Sequence, residues 1–136
     1  MRICIVVAKF YPEISSRLLK GATEILKRNK LSDIKIVYVP GVFEIPTVIA
    51  NLVDKYDGFV ALGCVVKGKT PHFDFLCNST FNAIANLSVN KKIPIGNAIL
   101  TCNNKNQALI RSDIKKINKG ADAAKALISI FNIIKK

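Results

Sequence analysis

Residues 62–74, LGCVVKGKTPHFD, combine a hydrophobic strand, a turn with a glycine and the start of a helix. The hydrophobic run at residues 59–66 is typical of a parallel strand that is buried on both faces. The glycine permits a tight turn, and Thr70 followed by Pro71 predicts an N-cap and a first helical residue. His72, the only histidine, would then lie in the first turn of that helix. Open α/β sheets bind ligands at this edge, beyond the carboxyl ends of their strands.

Strands and helices alternate along the rest of the chain. The hydrophobic pattern predicts strands at residues 2–8, 34–39, 59–66 and 95–101, and helices at residues 12–29, 43–55, 72–89, 105–115 and 118–134. This alternation is typical of a parallel sheet with right-handed crossovers and helices on both faces. The chain shows no linker, internal repeat or low-complexity segment, so we expect a single domain over residues 1–136.

The composition narrows the classes of function. The net charge is +12, and lysine supplies 17 of the 21 basic residues. These residues are scattered rather than gathered in a stripe or an arginine-rich helix, so we expect no nucleic-acid partner. No segment is long and hydrophobic enough to cross a bilayer, so we expect no membrane partner either.

The four cysteines, Cys4, Cys64, Cys77 and Cys102, form no Cys-x-x-Cys motif and show no zinc-site spacing. We therefore expect no metal site. Unpaired cysteines in or beside buried strands are typical of reduced, structural thiols, and this indicates a cytoplasmic protein.

In a parallel sheet, the loops that follow the strands meet at one edge. They would bring together Phe10, Glu44, His72 and the free N–H groups of Lys69 and Thr70, which suit an anion at a helix N-terminus. Each has an ordinary alternative, because Phe10 could be a core residue, Glu44 a helix-start carboxylate and His72 a surface residue. Their convergence at one edge favours a ligand site.

Five blocks of the sequence resemble the lumazine synthase family. They are AKFYPEIS from Ala8, VPGVFEIP from Val39, LGCVVKGKTPHFD from Leu62, LTCNNKNQALIR from Leu100 and NKGADAA from Asn118. The blocks occur in the family's order and spacing and cover nearly the whole chain, and the second and third are the most specific. The resemblance implies a flavodoxin-like three-layer α/β sandwich with a four-stranded parallel sheet.

The resemblance also implies an activity. The family condenses 5-amino-6-(ribitylamino)uracil with 3,4-dihydroxy-2-butanone 4-phosphate to give 6,7-dimethyl-8-ribityllumazine, phosphate and water. An imine forms, phosphate leaves, and the pteridine ring closes. This transferase reaction of riboflavin biosynthesis uses neither a metal ion nor an organic cofactor.

The family's substrate contacts carry over residue by residue. The residues that match its pyrimidine and ribityl contacts are Phe10, which stacks on the ring, together with Val42, Phe43, Glu44, Val65, Val66 and Asn97. The residues that match its phosphate contacts are Gly68, Lys69, Thr70, Arg111 and Lys119. His72 matches the residue that transfers protons. Arg111 alone could be an ordinary solvated helix charge, but a guanidinium fork suits a phosphate well.

The resemblance implies a homo-oligomer, a pentamer, whose sites lie between neighbouring chains. The residues on one side of each site would be Phe10, Glu44 and His72, and those from the next chain Asn97, Arg111 and Lys119. Lys69 stands where the family commonly has an acidic or small residue, and Asn97 where many members have an aromatic one. The chain begins almost at its first strand and lacks family glycines at residues 114–117, so we expect a free pentamer, or a pair of them, rather than an icosahedral shell.

Two other functions suit the same scaffold. One is the archaeal-type riboflavin synthase reaction, which dismutates lumazine, and the other is non-catalytic binding of a flavin or lumazine. An assay with both substrates distinguishes them from lumazine synthesis.

Overall fold

A computed structural model describes residues 1–135 of the chain. Its strands are β1 (Ile3–Ala8), β2 (Ile34–Val39), β3 (Gly58–Val66) and β4 (Ile95–Cys102), and its helices are α1 (Pro12–Arg28), α2 (Ile45–Leu52), α3 (His72–Asn90), α4 (Lys105–Ser112) and α5 (Lys119–Lys135). The strands form one parallel sheet in the order β2-β1-β3-β4. The predicted three-layer α/β sandwich is confirmed. Within residues 1–135, no helix is long and hydrophobic enough to span a membrane.

Two hydrophobic cores, one on each face of the sheet, hold the three layers together. Alternate side chains of the strands pack under α1, α4 and α5 on one face, and the other alternate set packs under α2 and α3. β1 is buried along its whole length, and β3 is buried up to Val65. Helices cover both faces of the sheet, so its central strands have no side that faces solvent. Both faces of these strands are therefore hydrophobic.

Glycines bring α5 close to its neighbours. A Cβ atom at Gly120 would overlap the carbonyl oxygen of Leu18 on α1, and a Cβ atom at Gly96 on β4 would overlap the carbonyl oxygen of Ala123 on α5. Because protein interiors are close-packed, larger residues at either position would force these elements apart.

The predicted helix at residues 43–55 is wrong at its start. A 3-10 turn, Val42–Glu44, precedes α2, which then ends three residues before the predicted end. Pro46 in the first turn of α2 has no N–H to donate, so the chain enters the helix through tighter i→i+3 bonds. One of these joins the Glu44 N–H to the Gly41 carbonyl oxygen at 3.2 Å.

The predicted helix at residues 105–115 is wrong at its end. α4 stops at Ser112, and the next residue, Asp113, has an extended conformation. The Asp113 carboxylate accepts the N–H of Lys115 at 2.9 Å. Asp side chains that bind their own backbone two residues on favour turns over helix, which explains the early end.

Candidate active site at the carboxyl edge of the sheet

A cavity of about 580 Å³ opens at the carboxyl ends of β1 and β3. Its walls come from the loop after β1, the turn after β2, the end of β3 and the first two turns of α3. The predicted convergence of the strand-end loops is confirmed for these three strands. A cavity of this size at this edge suits a small-molecule ligand.

The loop after β1 presents the Phe10 ring to the cavity. The Ser15 hydroxyl on α1 donates to the Ala8 carbonyl oxygen at the end of β1, which closes the loop between them. Phe10 is 71% exposed and packs edge-on against Tyr11 with 5.0 Å between ring centroids. Phe10 is therefore not a core residue, and most of its side chain is accessible to a ligand.

The turn after β2 contributes Val42, which is buried, and Phe43, which is 64% exposed. The Glu44 carboxylate does not line the cavity. Its Oε1 accepts the Gly41 N–H at 2.9 Å and so stabilises the 3-10 turn. This bond is typical of a carboxylate at a helix start, and Gly41 itself lines the cavity.

The end of β3 brings Val65 and Val66 to the cavity, and the chain then leaves the sheet. The Lys67 N–H donates to the Cys102 carbonyl oxygen of β4 at 2.8 Å. Beyond it, residues 68–70 are exposed, and within residues 1–135 no protein acceptor takes their backbone N–H groups. These N–H groups are free to bind an anion.

Gly68 is not required by the turn itself. No glycine within the described residues has a positive φ angle, and a Cβ atom at Gly68 would contact nothing within 4 Å. The turn would therefore accept another residue. Any need for glycine at this position must come from what approaches the backbone from outside.

α3 begins at His72, with Pro71 as its N-cap, so the predicted cap at Thr70 is wrong. The Thr70 hydroxyl instead accepts the His72 N–H at 3.4 Å. His72 is exposed and lies at the rim of the cavity. The predicted place of the histidine, in the first turn after β3, is confirmed.

The rest of this wall consists of residues for which the sequence predicted no role. Phe75, Leu76 and Ser79 line the cavity beside His72. Residues three, four and seven positions apart share one helix face, so the helical period counted from His72 would have found them. Cys64, Tyr11 and Gly41 also line the cavity and had no assigned role.

The single chain brings together nine of the thirteen predicted site residues. The cavity unites Phe10, Val42, Phe43, Val65, Val66 and His72, and the turn of Gly68, Lys69 and Thr70 lies beside it.

The other predicted contacts lie away from the cavity. Asn97 is exposed on β4, where its Oδ1 accepts the Ile99 N–H at 2.8 Å. Lys119 begins α5 and pairs with Asp122 at 3.5 Å on the surface. Arg111 lies on α4 beside the end of β4.

The cysteines are buried and unpaired, as predicted. Burial, followed by the neighbouring Cys102, raises the pKa of Cys64 to about 12, and burial raises the pKa of Cys4 to about 11. Burial, followed by the nearby Cys64, also raises the pKa of Tyr11. Cys64 is therefore a neutral thiol in the cavity wall at physiological pH and not a nucleophile.

The arrangement has the parts of a site for a planar, polar ligand. An aromatic face and main-chain groups can hold a ring, free N–H groups can hold an anion, and a histidine can move protons near neutral pH. Within residues 1–135, no three His, Cys, Asp or Glu side chains lie together as possible ligands of a metal ion.

A known protein family matches this chain along its length. Residues 1–135 match the model of the family described as 6,7-dimethyl-8-ribityllumazine synthase. The match spans all four strands and therefore every loop that forms the cavity. The chain thus belongs to the 6,7-dimethyl-8-ribityllumazine synthase family, enzymes of riboflavin biosynthesis that act on small-molecule substrates.

Proposed function

We propose that this enzyme condenses 5-amino-6-(ribitylamino)uracil with 3,4-dihydroxy-2-butanone 4-phosphate to form 6,7-dimethyl-8-ribityllumazine, phosphate and water, without a cofactor. The observation that carries the proposal is the cavity that Phe10, Val65, Val66 and His72 line together. These groups match what a flat pyrimidine and a proton-transfer reaction require.

The pyrimidine stacks on Phe10, and its edge binds the main chain at the end of β3. The ribityl chain lies along the 3-10 turn, beside Val42 and Phe43. Glu44 uses Oε1 on the Gly41 N–H, and a carboxylate has further lone pairs, so its second oxygen can accept from a ribityl hydroxyl.

The phosphate binds at the turn of residues 68–70, whose N–H groups have no acceptor within the described chain. Lys69 adds a positive charge to this turn, and the helix dipole of α3 acts in the same direction. Arg111 and Lys119 supply further positive charge. A fork of guanidinium N–H groups matches two phosphate oxygens at once.

His72 moves protons in the reaction. The substrate amine attacks the ketone carbonyl, and the proton that the nitrogen loses must reach the oxygen that leaves as water. Phosphate then leaves the neighbouring carbon chain, and the resulting enol becomes a ketone. The second amine adds to this ketone, and the ring closes when the ketone oxygen leaves as a second water. A neutral imidazole can accept and return a proton in these steps near neutral pH.

The active unit is a homo-oligomer, with a pentamer as its ring. Asn97, Arg111 and Lys119 do not line the cavity of their own chain, so a complete site needs a second copy. α3 supports such a contact, because no charged residue occurs from Phe75 to Asn90 in a chain that is 22% charged. Exposed helix faces without charge are typical of interfaces.

Four buried, unpaired thiols support a cytoplasmic location, since reducing compartments keep cysteines in this state.

A two-substrate assay tests the proposal. The purified protein should release phosphate and form lumazine in equal amounts, with no added metal or cofactor and in the presence of a chelator. Conversion of lumazine to riboflavin would favour the riboflavin synthase reaction instead. Binding of lumazine without turnover would favour a carrier.

A further inference from the structure

Two hydrogen bonds that involve Gln107 close the turn between β4 and α4. The Gln107 N–H donates to Oδ1 of Asn104, the N-cap of α4, at 2.9 Å. The Asn103 N–H donates to Gln107 Oε1 at 2.8 Å. The Gln107 side chain is therefore held by a main-chain N–H group and not by a flexible side chain.

The same Oε1 of Gln107 lies 3.4 Å from Nη1 of Arg111, one helical turn further on. The Sγ atom of Cys102, the last residue of β4, lies 3.2 Å from the same nitrogen. A carbonyl oxygen has two lone pairs and can accept from both Asn103 and Arg111. The opposite orientation of the amide would point an N–H at two donors, so these partners determine which atom is the oxygen.

Most of the Arg111 guanidinium stays available. The group carries five N–H bonds, and within residues 1–135 its hydrogen bonds to protein acceptors involve Nη1 alone. Sulfur is a weak acceptor, so Gln107 is the stronger of the two anchors. The guanidinium is held at one nitrogen, and its other N–H groups have no protein acceptor within residues 1–135.

We infer that Gln107 is a positioning residue that orients Arg111 for the phosphate of the substrate. The inference rests on the proposed function, in which Arg111 binds that phosphate. An arginine side chain loses much rotamer freedom when it binds a ligand, and a side chain that is already oriented loses less. Gln107 therefore acts on phosphate affinity through Arg111 and does not touch the substrate.

The test compares Gln107→Met, Arg111→Ala and the double variant. Gln107→Met removes the carbonyl acceptor and keeps the length of the side chain. We expect it to raise the KM of the phosphate substrate and the Kd of inorganic phosphate by roughly three- to tenfold, the worth of one ordinary hydrogen bond. The turnover rate and the KM of the pyrimidine should not change. In the Arg111→Ala background, Gln107→Met should add nothing, because the residue through which it acts is absent.

Asn106→Ala is the matched control, since Asn106 is exposed on the same helix and makes no side-chain hydrogen bond within the described residues. Its phosphate affinity should equal that of the parent. If Gln107→Met does not fold, Gln107→Ala replaces it, because alanine favours the helix more than any other residue.

Two results separate the inference from the proposed function. If Arg111→Ala leaves phosphate affinity unchanged, the role of Arg111 in the proposed function fails, and the inference fails with it. If Arg111→Ala weakens binding but Gln107→Met does not, or if Gln107→Met still weakens binding in the Arg111→Ala background, only the inference is overturned.

Discussion

At the scale of single residues, His72 owes its position to short-range interactions. β3 ends, Pro71 caps α3, and the Thr70 hydroxyl accepts the His72 N–H at 3.4 Å. The imidazole itself is exposed and stabilises little of the core. A substitution at His72 therefore tests its role in the reaction without unfolding the protein.

His72→Ala should slow turnover by roughly ten- to a thousandfold, near or below the usual range for loss of a general acid–base group. The thermal unfolding midpoint should stay close to that of the parent, because little packing is lost. Single-turnover kinetics with both substrates measure the effect on the reaction itself. An unchanged rate would remove His72 from the mechanism.

Gly68→Ala should raise the KM of the phosphate substrate while leaving the fold intact. A Cβ atom at this position meets no protein atom within 4 Å, so the free energy of unfolding should stay the same or rise by about 0.4–1 kcal/mol. The added methyl group would instead hinder a phosphate that approaches the free N–H groups.

Gly96→Ala is the control for Gly68→Ala, because its Cβ atom would overlap the Ala123 carbonyl oxygen. It should lower the free energy of unfolding by about 1–3 kcal/mol. Unchanged phosphate kinetics in Gly68→Ala would mean that the ligand does not lie against this backbone.

At the scale of secondary structure elements, α1 and α3 end in the same way. Each is followed by a lysine in the left-handed region, Lys30 with φ 61° and Lys92 with φ 53°. The next N–H in each case donates back to a helix carbonyl, from Leu31 to Leu26 at 3.0 Å and from Ile93 to Ser88 at 3.1 Å. This is the Schellman motif, in which glycine usually takes the left-handed position.

Lys30→Gly should therefore stabilise the protein by about 0.5–1 kcal/mol, because glycine avoids the steric cost of the left-handed conformation. Chemical denaturation measures the change. Lys20→Gly, within α1, serves as the control and should destabilise by about 1 kcal/mol, since glycine in a helix interior costs backbone entropy. If both variants lost stability to the same extent, the left-handed conformation of Lys30 would carry no strain.

At the scale of the whole molecule, the predicted contacts form two groups. One group surrounds the cavity, and the other, Asn97, Arg111 and Lys119, lies elsewhere on the surface of the same chain. Cyclic assembly joins two different surfaces at each heterologous interface, so every site in a ring would be equivalent.

Mixed assembly tests whether the two groups meet between chains. His72→Ala and Arg111→Ala should each have little activity alone. When the two variants are co-expressed, their chains mix at random in each ring. Roughly a quarter of the shared sites then combine an intact His72 from one chain with an intact Arg111 from its neighbour. Sedimentation of the parent should give a particle near five times the mass of the 14.9 kDa chain, or twice that for a pair of pentamers, rather than a shell. Activity in a monomer, or mixed rings no more active than either variant, would contradict the shared site.

The sequence by itself determined the elements, their order and the edge at which the site lies. Hydrophobic periodicity and turn chemistry act over a few residues, and for that reason the four strands and the place of His72 agree with the structure. The family motifs supplied the residues proposed for the reaction, because such motifs are short and continuous in the chain.

Only the tertiary structure decided how the side chains are used. The direction of the Glu44 carboxylate, the contact from Gln107 to Arg111 and the cavity wall of Phe75 and Ser79 depend on how the turns close and on which helix face the packing leaves open. Local spacing permits each of these contacts, but packing between the elements decides which of the permitted contacts forms. The start of α2 follows from Pro46, which has no backbone N–H to donate. The spacing of hydrophobic residues gives no information about a missing N–H, so this spacing did not predict where α2 begins.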